Sequence, residues 1–174
     1  MTMTDTFQVA GQAPGEVTVV GDDLQVVFRR RYAKPIEKVW AAITTPERLA
    51  DWLADAEIEM RTGGTIRFHW TGPDHRMEGR VVACEPPRLF AWTWPLGGRD
   101  TVVRFELTPD GDGCRLTLTH SGLSPRAGPG AGVRAGWHGH LEGLPDAIEG
   151  RRTAWETVVA RERAIAGLYP ALPG

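Results

Sequence analysis

Along the 174-residue chain the spacing of apolar and polar positions changes several times, and each change marks an element. Residues 1–23 are mostly small and polar, with Gly11, Pro14 and Gly15 breaking any repeat. They read as a loose N-terminal arm in which Val17, Val19 and Val20 offer at most a short strand. Residues 24–32 alternate as a strand. Pro35 then opens a helix, with Glu37 near its positive end and Ile36, Val39, Trp40 and Ile43 on one side. Thr45 followed by Pro46 is a second start signal, a hydroxyl cap and then a proline, and Leu49, Trp52 and Leu53 form that helix's apolar face.

Beyond Asp55 the period falls to two. Strands are expected at 57–61, 65–70, 76–85, 89–94, 101–107 and 114–120. They are separated by Gly63-Gly64, Gly72-Pro73-Asp74, Pro86-Pro87, Pro95 to Gly98 and Asp110 to Gly113, all chain-reversing compositions. Connections this short suit antiparallel neighbours, because a parallel pair needs a crossover of about a dozen residues. Parity then assigns the faces. Ile66, Phe68 and Trp70 share a side, as do Phe90, Trp92 and Trp94, then Val103, Phe105 and Leu107, then Leu116, Leu118 and His120. The other side carries Arg67, His69, Arg104, Glu106, Arg115 and Thr117, so one face is greasy and the other wet.

A glycine- and proline-rich loop spans 122–136, spaced for flexibility and placed to act as a lid. A helical pattern follows over 136–148, with Trp137, Leu141, Leu144 and Ile148 on one face, and it has the stripe needed to cover the sheet. Pro145 inside it should kink or end the helix. A separate helix is expected over 153–166, begun by a Thr153/Glu156 capping box and lined by Trp155, Val158, Val159, Ile165 and Ala166. That stripe either packs on its own domain or mediates a homodimer. The expected organisation is an arm (1–23), a domain (24–150) and a C-terminal helical extension (151–174).

Composition narrows the function classes. Twenty basic residues against 22 acidic ones give a net charge of −2, which argues against a nucleic-acid footprint. No run of about 20 apolar residues is present to span a membrane, and MTMTDTFQVA has neither the basic nor the apolar segment of a secretory signal. Cys84 and Cys114 fall on strands separated by two others, so two free thiols and a cytoplasmic setting are expected. His138 and His140 stand two apart on a helix and point to nearly opposite sides, His69 is on the wet face and His75 in a turn, so no metal set forms. Asp74, Glu78 and Arg80 read as solvated surface charge. No GxSxG, phosphate loop or dinucleotide fingerprint is present, and no cofactor or catalytic residue is expected.

The run RRRYAKPIEKVWAAITTPERLADWL resembles the opening of domains like the C-terminal domain of the activator of heat-shock-protein-ninety ATPase, within the START/SRPBCC superfamily. PPRLFAWTW, DGDGCRLTLTHSGL and GWHGHLEGL extend the likeness in order across about residues 24–150. The resemblance implies an α+β helix-grip fold: about seven antiparallel strands curved around a long C-terminal helix, with two short helices after the first strand. It also implies a cavity between sheet and helix for a small apolar or amphipathic ligand. Parity directs Phe68, Trp70, Met77, Trp92, Trp94, Phe105, Leu118 and His120 into that space, with Trp52, Trp137 and Leu141 from helices; the alternative is that these side chains simply fill the core. His120 is either a ligand anchor and proton carrier or a hydrogen-bonded histidine at a strand end. Three functions are in view. They are a binding protein, a co-chaperone-like regulator of the chaperone ATPase, and a cyclase- or hydrolase-type enzyme. The second is disfavoured because residues 1–23 leave no room for the activators' N-terminal domain, and the third lacks an inward polar pair.

Overall fold

A computed structural model describes residues 13–125 and 129–169. Among them eight strands form one antiparallel sheet in the order β1-β2-β8-β7-β6-β5-β4-β3. The strands are β1 (Glu16–Val20), β2 (Asp23–Tyr32), β3 (Asp55–Ile58), β4 (Thr65–Trp70), β5 (His75–Glu85), β6 (Leu89–Leu96), β7 (Arg99–Asp110) and β8 (Gly113–Leu123). The helices are α1 (Ile36–Thr44), α2 (Pro46–Trp52), α3 (Pro129–Leu141), α4 (Leu144–Ile148) and α5 (Trp155–Ala166). Register irregularities at Leu24/Val26 in β2 and at Val81/Ala83 in β5 bend the sheet where the ladder is interrupted. The result is the α+β helix-grip architecture.

The inner face is the one that alternation assigns. Ile66, Phe68, Phe90, Trp92, Val103, Phe105, Leu116 and Leu118 are all sealed from water, whereas Arg67, Arg104, Glu106 and Arg115 face it. Trp52 joins the same core from α2, and its indole N–H donates to the Ala42 carbonyl at 2.8 Å, pinning the two short helices together. Cys84 and Cys114 are both unpaired.

Several local expectations are revised. Residues Glu16–Val20 of the supposed arm pair with β2 as an edge strand, making the eighth. The third strand is Asp55–Ile58, starting two residues before the expected 57. Thr45 holds the N-cap position of α2 ahead of Pro46, as expected, but its side chain does not cap: it also closes α1, and its hydroxyl turns back to the Ala41 carbonyl at 2.7 Å. The Thr153/Glu156 capping box is not formed either. Ala154 occupies the cap position in extended conformation, while the Thr153 N–H donates to the Asp51 carbonyl at 2.8 Å. The helix expected over 136–148 is two helices. α3 starts at Pro129, taking over the second half of the expected glycine loop, and Pro145 sits in the first turn of α4, where its missing N–H is no loss. Positions 126–128 of that loop lie outside the described residues.

The C-terminal extension packs on its own chain. α5 lies against α3, where Gly139 is required: a Cβ there would stand 2.7 Å from Glu162 Cγ. Val158 and Ile165 are buried, and Ile165 clusters with Ala135 and Tyr169. The Tyr169 hydroxyl accepts the Gly15 N–H at 2.7 Å and bonds His138 Nδ1 at 2.7 Å, tying both ends of the described chain to α3.

Candidate functional site

The main cavity opens where four strands end against α3. Trp70 closes β4, His75 opens β5, Trp94 and Leu96 finish β6, and His120 lies near the end of β8. α3 supplies Val133, Gly136, Trp137 and His140, α5 supplies Trp155, and Leu53 follows α2. The cavity is open to solvent and has a volume of about 610 Å³. Both outcomes weighed from the sequence therefore occur, in different parts of the same interior.

Of the side chains directed inward by parity, Trp70, Trp94, His120 and Trp137 line this cavity. Trp52, Phe68, Met77, Trp92, Phe105, Leu118 and Leu141 lie outside its wall, in the continuous packed core. The two groups touch. Phe68 stacks on Trp94 with ring centres 6.4 Å apart, and Phe105 meets Trp137 edge-on at 6.2 Å. The core thus forms a rigid aromatic floor beneath the tryptophans that face the space. Leu53, Pro73, His75, Leu96, Gly132, Val133, Gly136, His140 and Trp155 are lining residues that sequence reasoning did not select. Trp155 is the most informative of these. Its indole lies over Gly72 in the β4–β5 turn, where a Cβ would come within 2.3 Å of it, so the extension contributes a wall.

His120 is held on both sides. The Trp137 indole N–H donates to Nδ1 at 3.0 Å, so that nitrogen carries the lone pair and Nε2 carries the proton. Nε2 is 2.7 Å from the Thr101 hydroxyl, which itself donates to the Trp94 carbonyl at 2.6 Å. Burial pushes the imidazole down to about 4, so it is neutral at physiological pH. With both nitrogens engaged, His120 has no proton or lone pair for a ligand, and its work is to hold Trp137 and Trp94 in the wall.

His140 differs. Its Nδ1 is 2.9 Å from the Trp52 carbonyl, which only accepts, so Nδ1 carries the proton and Nε2 a bare lone pair. His138 is on the other side of α3, edge-on to Phe28 at 6.0 Å, so the pair diverges as its spacing implied. His69 bonds Asp74 at 2.9 Å, and Glu78 pairs with Arg67 at 2.7 Å; both pairs sit on the solvated face of the sheet. Among the described residues no three His, Cys, Asp or Glu side chains come together as a metal-ligand set. None of the described helices is long and apolar enough to cross a membrane.

A curved antiparallel sheet gripping a helix, with an aromatic cavity at one end, defines a domain of the START/SRPBCC type. Residues 33–149 match the family model described as Activator of Hsp90 ATPase homolog 1-like protein, and the chain belongs to that family. No curated protein matches it. Among solved structures it is similar to CalU16 from Micromonospora echinospora, with 26% identity, 90% of this chain and 99% of that one covered, and a TM-score of 0.67. It is also similar to MLL2253 from Mesorhizobium loti, with 28% identity, 74% and 99% covered, and a TM-score of 0.66. DynU16, a protein of the dynemicin biosynthetic locus, shares the fold at 24% identity, with 76% and 50% covered and a TM-score of 0.68.

Proposed function

We propose that this chain is a binding protein for a small, largely apolar ligand, held in the cavity between the strand ends and α3. The observation that carries this reading is the roughly 610 Å³ space walled by Trp70, Trp94, Trp137 and Trp155. Drug-sized ligands occupy apolar pockets of about 300–1,000 Å³ with few polar groups, and this wall has that character. A ligand burying about 300 Å² of apolar surface gains roughly 7 kcal/mol before the cost of its lost freedom is counted. The aromatic floor supports this economy, because packed rings do not have to reorganise when the space fills.

The test is a titration with a panel of apolar and amphipathic aromatic compounds, followed by tryptophan fluorescence and melting temperature. Binding should alter the emission of the wall tryptophans and raise the melting temperature with ligand concentration. Val133→Arg, at a half-buried position on the wall, should abolish both responses while leaving the fold intact. If the panel moves neither signal in the native chain, or if Val133→Arg responds as the native chain does, the reading is wrong.

A further inference from the structure

We infer that His140 Nε2 is the recognition atom of this cavity and that the ligand is a planar aromatic molecule presenting a hydrogen-bond donor, such as a phenolic hydroxyl, to it. This rests on the binding reading above and adds a chemical class to it.

The wall offers few hydrogen-bond acceptors. Among the described residues its side chains are Leu, Val, Pro, Trp and His, with glycines between. Tryptophan nitrogens only donate, so a side-chain acceptor must be a histidine nitrogen. His75 is exposed at the rim, and both nitrogens of His120 are engaged by Trp137 and Thr101. His140 is left. Its Nδ1 is committed to the Trp52 carbonyl, and the ring is buried at 8% exposure. Glu162 Oε1 lies 3.9 Å from Nε2, beyond hydrogen-bond length, and a carboxylate there is a second acceptor rather than a partner. Glu162 is not part of the described wall, so the partner that Nε2 can take from the cavity is a donor on the ligand. Burial lowers the affinity of His140 for a proton, so the lone pair persists at neutral pH. A ligand carboxylate or ether oxygen at the same point would set lone pair against lone pair. The surrounding wall is aromatic, with Trp70 and Trp94 in tilted contact at 5.5 Å and Trp94 and Trp137 meeting edge-on at 5.5 Å, so an aromatic ligand finds ring faces and edges to pack on.

The probes are naphthol, its methyl ether and naphthalene itself, titrated calorimetrically into the native chain and into His140→Asn. The asparagine amide reproduces the Nδ1 donor toward Trp52 and places nothing at Nε2. Naphthol should bind the native chain roughly three- to tenfold more tightly than its methyl ether, the range of one net hydrogen bond, and this gap should vanish in His140→Asn. Equal affinity of naphthol and its ether, or a gap that survives in the variant, overturns the role of His140 while leaving the binding reading intact. If none of the three binds, the inference falls, and the panel titration above decides the binding reading separately. Should His140→Asn not fold, the nitrogen-15 resonance of Nε2 in the native chain decides: it should shift toward the hydrogen-bonded position with naphthol and stay still with the ether, and a still resonance with naphthol overturns the inference.

Discussion

The sealed network around His120 has a consequence for stability that acid titration can measure. Folded His120 resists protonation until about pH 4, whereas the free imidazole titrates near 6.5. As pH falls, the unfolded chain therefore takes up this proton first, and stability must fall with it. The contribution is whole above pH 6.5, is lost between 6.5 and 4, and changes no further below 4. The separation of the two values corresponds to about 3 kcal/mol, of which roughly 2.5 is gone by pH 4.5. The physical source is that protonation would put a buried charge beside Trp137 and destroy the acceptor at Nδ1. Urea denaturation at pH 7.5 and 4.5, on the native chain and on His120→Gln, measures it. His140, also lowered by burial, and Glu162, raised by burial and of opposite sign, are present in both proteins and cancel in the comparison. The variant should start less stable, since Trp137 loses its acceptor, but should lose about 2 to 3 kcal/mol less on acidification. Equal losses in the two proteins would refute the assignment, as would a proton-detected titration of His120 with a midpoint near 6.5.

Two further outcomes test the packing that shapes the site. Gly139→Val should cost about 1–3 kcal/mol and lower the melting temperature by several degrees, because its side chain must displace Glu162 and with it α5; Trp155 emission should shift to the red. An unchanged melting temperature and spectrum would mean that α5 does not depend on that close approach. Thiol titration without reductant should find two reactive groups after unfolding, since Cys84 and Cys114 are free; before unfolding, the half-buried Cys84 should react ahead of the sealed Cys114. Burial also raises both thiols, which slows each further at neutral pH.

How much of this was legible in the sequence depends on whether the signal was local. Face assignment was local: period-two alternation identified Phe68, Trp92, Phe105 and Leu118 as inward, and all are buried. Position along a strand was not. Parity treats Trp92 and Trp94 alike, but Trp92 is mid-strand over a closed core while Trp94 reaches the end where α3 leaves a gap. β1 was legible only as a short strand in a mostly loose arm, for a related reason. Val19 and Val20 are 70% and 54% exposed, so its pairing rests on backbone bonds that leave no burial period. The wall contributed by Trp155 depends on Gly72, a neighbour that no window of sequence contains.

The two wall histidines show why residue type alone does not define a site. His120 and His140 are chemically identical, both are buried, and both are kept neutral by their surroundings. What separates them is the partner each first nitrogen meets. Trp137 donates to His120 and leaves a proton on its other nitrogen, which Thr101 then takes; the Trp52 carbonyl accepts from His140 and leaves a lone pair that no side chain among the described residues takes. A donor on one side makes a structural clasp, and an acceptor on one side makes a receptor atom. Trp137 and Trp52 come from different helices, so the distinction arises only once α2 and α3 have both docked. In this domain the polar character of an apolar cavity is thus decided by tertiary hydrogen bonding behind its wall.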